Sequence, residues 1–129
     1  HEGTVAHLLK ARGGDVITAP ASATVREAIG VMKRHGISQL PILDDKGRHC
    51  GMVAEIDLLN IMLESPTALD TKLSELAEGN YATVSPHTRI ALLKNIFNDA
   101  KAVLVTEGEH LKGVVTKIDL IDYLANQKV

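Results

Sequence analysis

The chain contains an internal repeat, and this repeat constrains its fold more than any other feature. Residues 51–58 read Gly-Met-Val-Ala-Glu-Ile-Asp-Leu, and residues 113–120 read Gly-Val-Val-Thr-Lys-Ile-Asp-Leu. Two copies, each of roughly 60 residues, fill the chain. A unit of that size buries only a marginal core by itself, so we expect two units that depend on each other.

Each copy is predicted to fold as β-α-β-β-α, which gives an α/β (α+β) fold of two tandem motifs. Thr24 and Glu27 form a capping-box signature at the start of the first copy's first helix, and Gly36 predicts the end of that helix. We place the first motif and its lead-in helix in residues 1–65, and the second motif with its linker helix in residues 66–129. Strands are predicted at 16–17, 39–43, 49–54, 82–84, 102–106 and 111–115, and helices at 5–11, 24–35, 56–63, 72–77, 89–97 and 118–124.

Composition argues against several classes of partner. The 14 basic and 16 acidic side chains form no basic run, and only two tyrosines and one phenylalanine are present, so we expect no binding to nucleic acid. No apolar run approaches the roughly 20 residues of a membrane span, and no signal peptide is visible. Cys50 has no second cysteine to pair with, which favours a reducing compartment, and we expect the cytoplasm. Because the chain begins with His1, we expect it to be a piece of a longer polypeptide.

The junction between the last strand and the last helix of each copy is a candidate ligand site. A helix N-terminus presents unpaired backbone N–H groups, and the Asp119 carboxylate can accept hydrogen bonds from both hydroxyls of a ribose. Thr116 and Asp119 also satisfy a helix capping box, which by itself explains both residues. The first copy retains the acid, Asp57, although Ala54 stands at the cap position and cannot cap. This asymmetry favours a binding role for the acid.

These motifs resemble the CBS domain, named after cystathionine β-synthase. Two copies of β-α-β-β-α, each with Gly-x-Val-(Thr/Ala)-x-Ile-Asp-Leu, are similar to a tandem CBS pair, or Bateman module. The resemblance implies that the two motifs pack sheet to sheet with pseudo-two-fold symmetry, leaving two clefts for adenosyl ligands. Residues 36–41 and 113–124 further resemble the regulatory tail of the pyridoxal-phosphate (PLP) enzyme cystathionine β-synthase and its bacterial relatives.

The resemblance also implies the site residues. In the main cleft, Asp119 would hold the ribose and aliphatic side chains would sandwich the adenine, as the shortage of aromatic residues requires. A second, weaker cleft is expected, in which Ala54 replaces the family's Thr or Ser and Lys101 can reach an anion. The main cleft comprises Asp15, Val16, Ile37, Ser38, Gln39, Leu40, Val114, Thr116, Ile118 and Asp119. The second comprises Met52, Ile56, Asp57, Tyr81, Ala82, Thr83, Lys101 and Ala102.

We therefore expect a regulatory module that binds an adenosyl ligand and modulates an attached PLP-dependent, cystathionine β-synthase-like enzyme. S-adenosylmethionine is favoured, because Ser38 and Gln39 occupy the positions where an arginine cluster would bind a phosphate. AMP, ADP and ATP are also possible ligands, since Lys33, Arg34 and Lys117 can reach a phosphate. The alternative is a structural dimerisation module with degenerate sites.

The fragment itself is not expected to be an enzyme. It has no nucleophile elbow, P-loop or Cys/His pairing, so no catalytic residue is assigned. The six histidines lack metal-ligand spacing, so neither a metal site nor any cofactor in the fragment is expected. The last helix of each copy is unusually apolar, which indicates either core packing or a subunit interface. Core packing alone would explain this pattern, but the resemblance to the CBS family implies a dimer formed through such helices, so we favour a homodimer.

Overall fold

The structure is a computed structural model that describes residues 3–127. His1, on which the expectation of a longer polypeptide rests, lies outside these residues. The described helices are α1 (Val5–Arg12), α2 (Val25–His35), α3 (Glu55–Glu64), α4 (Leu93–Ile96) and α5 (Lys117–Ala125). The described strands are β1 (Ala19–Pro20), β2 (Gln39–Leu43), β3 (His49–Ala54), β4 (Thr83–Val84), β5 (Ala102–Glu107) and β6 (His110–Thr116).

The six strands form two three-stranded sheets with the same topology. In the orders β1-β2-β3 and β4-β5-β6, the first pair of strands is parallel and the second pair is antiparallel. Gln39 pairs with Ala54 in one sheet and Ala102 pairs with Thr116 in the other, so the two registers correspond. The predicted repeat of β-α-β-β-α and the α+β class are confirmed.

The capping signals of α2 are confirmed. The Glu27 backbone N–H donates to Thr24 Oγ1 at 3.3 Å, and the Glu27 carboxylate lies 3.2 Å from the same hydroxyl. Gly36 ends the helix with φ 63° and ψ 35°, a left-handed conformation that glycine adopts without a steric penalty. Local sequence therefore determines both ends of this helix.

Three predicted elements differ from the structure. The strand predicted at 16–17 lies at Ala19–Pro20, where its register with Ile42 and Leu43 places it. The helix predicted at 89–97 is divided into a 3₁₀ turn and the short α4, and its first residue, Arg89, makes no side-chain cap of the kind that Thr24 provides. The linker helix predicted at 72–77 is reduced to a 3₁₀ turn, because Glu78 bonds to Met52 through both backbone groups and requires extended chain.

The structure divides into two compact units. The connecting segment that was predicted to lead into each copy packs with the other copy instead. The first unit is Ile17–Asn80, and the second comprises the residues up to Val16 together with those from Tyr81 onward. The predicted boundary lay between residues 65 and 66, with α1 in the first motif. Instead, α1 packs with the second copy, because its apolar residues complete that copy's core. The segment that follows α3 stays with the first copy.

Each unit has its own apolar core. In the first unit, fully buried side chains come from α2, β2, β3 and the 3₁₀ turn at Leu73–Glu75. In the second, α1 and α4 cover β5 and β6, and Leu8 is fully buried. The first core includes Val25, Leu40, Ile42, Val53 and Leu73, and the second includes Val5, Leu8, Leu93, Val103, Val105 and Val115.

Candidate functional site

Asp119 lies in the first turn of α5, where its carboxylate is held by the end of β6. Strand β6 runs directly into α5, and Thr116 is the N-cap residue with an extended backbone. The Thr116 backbone N–H and hydroxyl both donate to Asp119 Oδ2, each at 2.9 Å. Asp119 thus makes the acid's half of the predicted capping box, whereas the Thr116 hydroxyl donates to the acid and caps no backbone N–H of the helix. The same bonds hold the carboxylate in one orientation at the surface of the second unit.

The residue closest to this carboxylate is one that the sequence motifs did not indicate. Arg12, the last residue of α1, donates from Nη1 to Asp119 Oδ2 at 2.7 Å and to the backbone carbonyl of Val114. The Arg12 side chain is 32% exposed and that of Asp119 is 19% exposed. Because 107 positions separate the two residues, only the assignment of α1 to the second unit brings them together.

A cavity of about 240 Å³ lies beside this ion pair, between α1 and α5. Leu8 forms its apolar wall, and the ion pair of Arg12 with Asp119 lies at its polar side together with Asp122. The Asp119 carboxylate therefore faces a space that solvent or a small polar group can enter. The full lining is Leu8, Ala11, Arg12, Asp119, Asp122, Tyr123, Asn126 and Gln127.

Gly113 has a structural role that differs from the expected one. Its lack of a side chain was expected to admit a backbone or a ligand. In the structure, Leu9 of α1 packs against it, and a Cβ atom on Gly113 would lie 2.8 Å from Leu9 Cδ2. The equivalent Gly51 is packed against Ala77, with Cβ atoms that would be 2.8 Å apart. Both glycines therefore admit the connecting segment of their own unit.

The first copy builds the same helix start with fewer polar contacts. The Ala54 backbone N–H donates to Asp57 Oδ2 at 2.7 Å, so Asp57 caps α3 without a hydroxyl partner. Among the described residues, Asp57 has no cation partner. Leu9 contacts Gly113 and Ala77 contacts Gly51, so Leu9 and Ala77 are equivalent positions. Three residues later the second copy has Arg12, whereas the first copy has Asn80. The absence of a counterpart to Arg12 thus follows from the sequence.

The remaining residues predicted for the main cleft come from both units. Asp15, Val16, Val114 and Ile118 belong to the second unit, and the Ile118 side chain is 67% exposed. Residues 37–40 belong to the first unit. There the Ser38 carbonyl accepts from the Glu55 backbone N–H at 3.1 Å, and Leu40 is fully buried in that unit's core. Within the first unit, these contacts place residues 37–40 beside the start of α3.

The predicted residues of the second cleft are likewise divided between the units. Met52, Ile56 and Asp57 lie at the β3–α3 junction of the first unit, where Met52 is buried and Ile56 is exposed. The others lie around β4 and the start of β5 in the second unit, where the Ala82 carbonyl accepts from the Leu104 N–H at 3.0 Å. This group is Tyr81, Ala82, Thr83, Lys101 and Ala102.

A larger cavity, which the sequence did not predict, lies in the first unit. Its volume is about 400 Å³, and it lies between α2 and α3 with Ile37 at one edge. The walls are mainly apolar, with Lys33 and Glu55 as the charged residues. The lining comprises Ile29, Met32, Lys33, Gly36, Ile37, Glu55 and Leu58.

Both of the last helices expose large apolar side chains. In α3, Leu59 and Leu63 point into solvent, and Leu63 is 77% exposed. In α5, Ile121 is exposed in the same way.

The longest described helix, α2, has 11 residues, so none of the described helices can span a membrane. Among residues 3–127, no cluster of three or more His, Cys, Asp or Glu side chains is arranged to hold a metal ion.

The chain is similar to parts of several larger enzymes. It is 28% identical over 113 residues to cystathionine β-synthase from Dictyostelium discoideum, an alignment that covers 84% of this chain and 23% of that protein. It is 29% identical over 109 residues to inosine-5′-monophosphate dehydrogenase from Halalkalibacterium halodurans, covering 83% of this chain and 22% of the enzyme. The chain thus spans about a quarter of the length of these two relatives.

The fold is that of solved CBS-domain structures. A CBS-domain-containing protein from Agrobacterium tumefaciens superposes with a TM-score of 0.83 at 24% identity, over 92% of this chain and 91% of that one. The family model of the CBS domain matches residues 9–64 and again residues 73–126. Such pairs are regulatory modules in many enzymes. The chain therefore belongs to the CBS-domain family and is a tandem pair of CBS domains.

Proposed function

We propose that this CBS pair binds an adenosyl compound, with Asp119 accepting hydrogen bonds from the ribose, and that it thereby regulates an attached enzyme. The observation that supports this most strongly is the position of the Asp119 carboxylate. It lies at the N-terminus of α5, oriented by two hydrogen bonds from Thr116 and facing a cavity. A carboxylate held in this way can accept hydrogen bonds from hydroxyls without first losing side-chain entropy.

The local charges do not favour one adenosyl ligand over another. Arg12 adds a positive charge beside Asp119, which would favour a phosphate and which the sequence argument for S-adenosylmethionine did not include. Asp119 and Asp122 supply negative charge, which would favour the sulfonium of S-adenosylmethionine. Our proposal therefore names the adenosyl class, with S-adenosylmethionine, AMP, ADP and ATP as its members to be compared.

We propose a PLP-dependent, cystathionine β-synthase-like protein as the attached enzyme. Relatives named cystathionine β-synthase occur in both Dictyostelium discoideum and Saccharomyces cerevisiae. The relatives also include dehydrogenases, so the resemblance of residues 36–41 and 113–124 to the β-synthase tail is what supports this choice. No catalytic role is proposed for this chain.

Calorimetric titration with the four adenosyl compounds tests the binding proposal. At least one of them is expected to bind saturably to the wild type, and Asp119→Ala is expected to weaken that binding by about tenfold or more, because a hydrogen bond to a carboxylate contributes roughly 1.5–3 kcal/mol. Asp57→Ala removes the equivalent acid, which belongs to the weaker second cleft, and is expected to weaken the binding less than Asp119→Ala does. Equal binding by the wild type and both variants would reject the site assignment.

A homodimer is the second proposal, and the exposed apolar side chains of α3 and α5 support it. Leu59, Leu63 and Ile121 are exposed to an extent that a subunit interface would explain. Sedimentation equilibrium is expected to give twice the chain mass, and Leu63→Glu to shift the equilibrium towards monomer. If every adenosyl compound left the thermal stability of the dimer unchanged, the structural dimerisation module would replace the regulatory one.

A further inference from the structure

The Arg12–Asp119 ion pair occupies an acceptor that a ribose would need. Asp119 Oδ2 receives three donors, which are the Thr116 N–H and Thr116 hydroxyl at 2.9 Å and Arg12 Nη1 at 2.7 Å. Within the described part of the chain, Oδ1 receives none. A ribose that places one hydroxyl on each carboxylate oxygen would therefore compete with the donors that already occupy Oδ2.

Of these three donors, Arg12 is the one that can leave without disrupting the fold. The Thr116 N–H and hydroxyl are fixed beside Asp119, because Thr116 is the N-cap residue of α5 and lies three positions before Asp119 in the same turn. Arg12 is a long, partly exposed side chain at the end of α1. Its departure leaves the helix in place, because Val5 and Leu8 anchor α1 in the core of the second unit.

In the second copy, the partly exposed Val114 carbonyl can bond to water when Arg12 leaves, and the first copy satisfies the equivalent carbonyl without an arginine. There, the backbone N–H of Glu78 donates at 2.8 Å to the carbonyl of Met52, the residue equivalent to Val114. Met52 is thus satisfied by backbone, whereas Val114 is satisfied by the Arg12 side chain. The arginine is a feature of the second copy alone, at the acid for which we propose ligand binding.

We infer that Arg12 is an internal competitor of the ligand. It holds Asp119 until a ribose takes its place, so that ligand binding releases the last turn of α1 from the start of α5. This inference rests on the proposed function and adds a regulatory step to it. Release of Arg12 connects occupancy of the site to α1. The next two residues, Gly13 and Gly14, have φ 71° and 86°, and because glycine adopts many backbone conformations the chain after α1 can change its conformation when Arg12 leaves.

The test compares ligand affinity in the wild type, Arg12→Gln and Lys10→Gln by calorimetry. The probes are adenosine, AMP and S-adenosylmethionine, which share the ribose but differ in charge. Lys10→Gln removes the same charge from the same helix without touching Asp119, and it is the matched control. We expect Arg12→Gln to tighten every probe that binds by about fivefold, the equivalent of roughly 1 kcal/mol for a partly exposed ion pair, and Lys10→Gln to change none.

The outcomes separate this inference from the proposed function. If no probe binds any of the three proteins, the proposed function fails and the competitor fails with it. If the wild type binds and Arg12→Gln binds equally or more weakly, only the competitor is overturned. A gain for S-adenosylmethionine with a loss for AMP also overturns it, because Arg12 would then act through ligand charge.

A spectroscopic measurement makes the test independent of affinity. The Arg12 Nη–H resonance, assigned by its absence from Arg12→Gln, is expected to shift when the site is saturated, because Nη1 leaves Asp119. Arg12→Lys keeps the charge on a side chain whose terminal nitrogen is one bond closer to the backbone than Nη1, and it is expected to give an intermediate affinity. An unmoved resonance at saturation would contradict release.

Discussion

Gly113 and Leu9 are in such close contact that the side chain of an alanine at position 113 would lie 2.8 Å from Leu9 Cδ2. Gly51 stands in the same relation to Ala77 in the first unit. Both distances are shorter than carbon atoms tolerate without movement. The two copies thus place a glycine at the same position of the repeated motif, where a connecting segment packs against the last strand of its unit.

Alanine substitution at the two glycines should have unequal effects. At Gly113 the neighbours are the methyl groups of Leu9, a flexible side chain that can rotate away. At Gly51 the neighbours are Ala77 Cβ and the Glu78 carbonyl oxygen, which can move only with the backbone. We expect Gly51→Ala to lower the free energy of unfolding by about 1–3 kcal/mol and Gly113→Ala by less, as measured by urea denaturation. Equal losses would contradict this packing.

A hydroxyl at position 54 should stabilise the first unit. Ala54 has φ −105° and ψ 162°, close to the φ −109° and ψ 170° of Thr116, so threonine fits the same backbone. The added hydroxyl can bond to Asp57 as the Thr116 hydroxyl bonds to Asp119. Ala54→Thr is therefore expected to raise the unfolding free energy by about 0.5–2 kcal/mol in thermal or urea unfolding. In the Asp57→Ala background, Ala54→Thr should raise the unfolding free energy by a smaller amount. An equal rise in both backgrounds would show that the new hydroxyl does not act through Asp57.

The turn between β2 and β3 should make stability depend on pH in the acid range. Asp44 accepts from the backbone N–H groups of Arg48 and Lys46 and from Arg48 Nε, each at 2.9 Å. These bonds, the one from the Arg48 N–H above all, lower the pKa of Asp44. A lowered pKa means that the folded state prefers the ionised carboxylate.

The contribution of Asp44 is therefore complete above the unfolded pKa of about 3.9 and is lost as pH falls through the lower pKa of the folded state. Urea midpoints measured from pH 6 to pH 2 should decline less steeply in Asp44→Asn than in the wild type. Asp45→Asn removes a charge from the same turn without touching these bonds and is the control. Identical declines in the wild type and Asp44→Asn would contradict the prediction.

Cys50 should react slowly with alkylating reagents although it is exposed. Loss of solvent around the thiol raises its pKa, and the negative charge of Asp44 adds to that effect against the opposing charge of Arg48. The thiol also donates to the Ile42 carbonyl at 3.5 Å. The midpoint of iodoacetamide reactivity against pH is expected above the usual value of about 8.5, and Asp44→Asn should lower it. A midpoint at or below 8.5 in the wild type would show that the thiol is not perturbed.

Local signals in the sequence predicted much of the fold. The Thr24–Glu27 box, Gly36 and the repeated Gly-x-Val motif each act within a few residues, so α2, β3, α3, β6 and α5 lie where they were predicted, with their ends shifted by at most two residues. Competition from distant segments explains the failures. Glu78 pairs with Met52 and shortens the predicted linker helix, and no local pattern at residues 72–77 reveals that pairing.

The candidate site was predictable in part for the same reason. Thr116 and Asp119 are three residues apart, and their capping contact can be read from the sequence. Arg12 acts across 107 positions, and its role depends on α1 joining the second unit rather than the first. The sequence contained one signal. Leu9 and Ala77 occupy equivalent places against Gly113 and Gly51, and three positions later one segment has Arg12 where the other has Asn80.

The most direct test of ribose recognition by Asp119 removes one hydrogen-bonding group from each side. The adenosyl compound that binds most tightly and its 2′-deoxy counterpart are titrated by calorimetry into the wild type and Asp119→Asn. We predict that loss of the hydroxyl weakens binding to the wild type about ten- to hundredfold, and that Asp119→Asn binds both compounds almost equally. Equal binding of both compounds by the wild type, or undiminished discrimination by Asp119→Asn, would contradict the assignment.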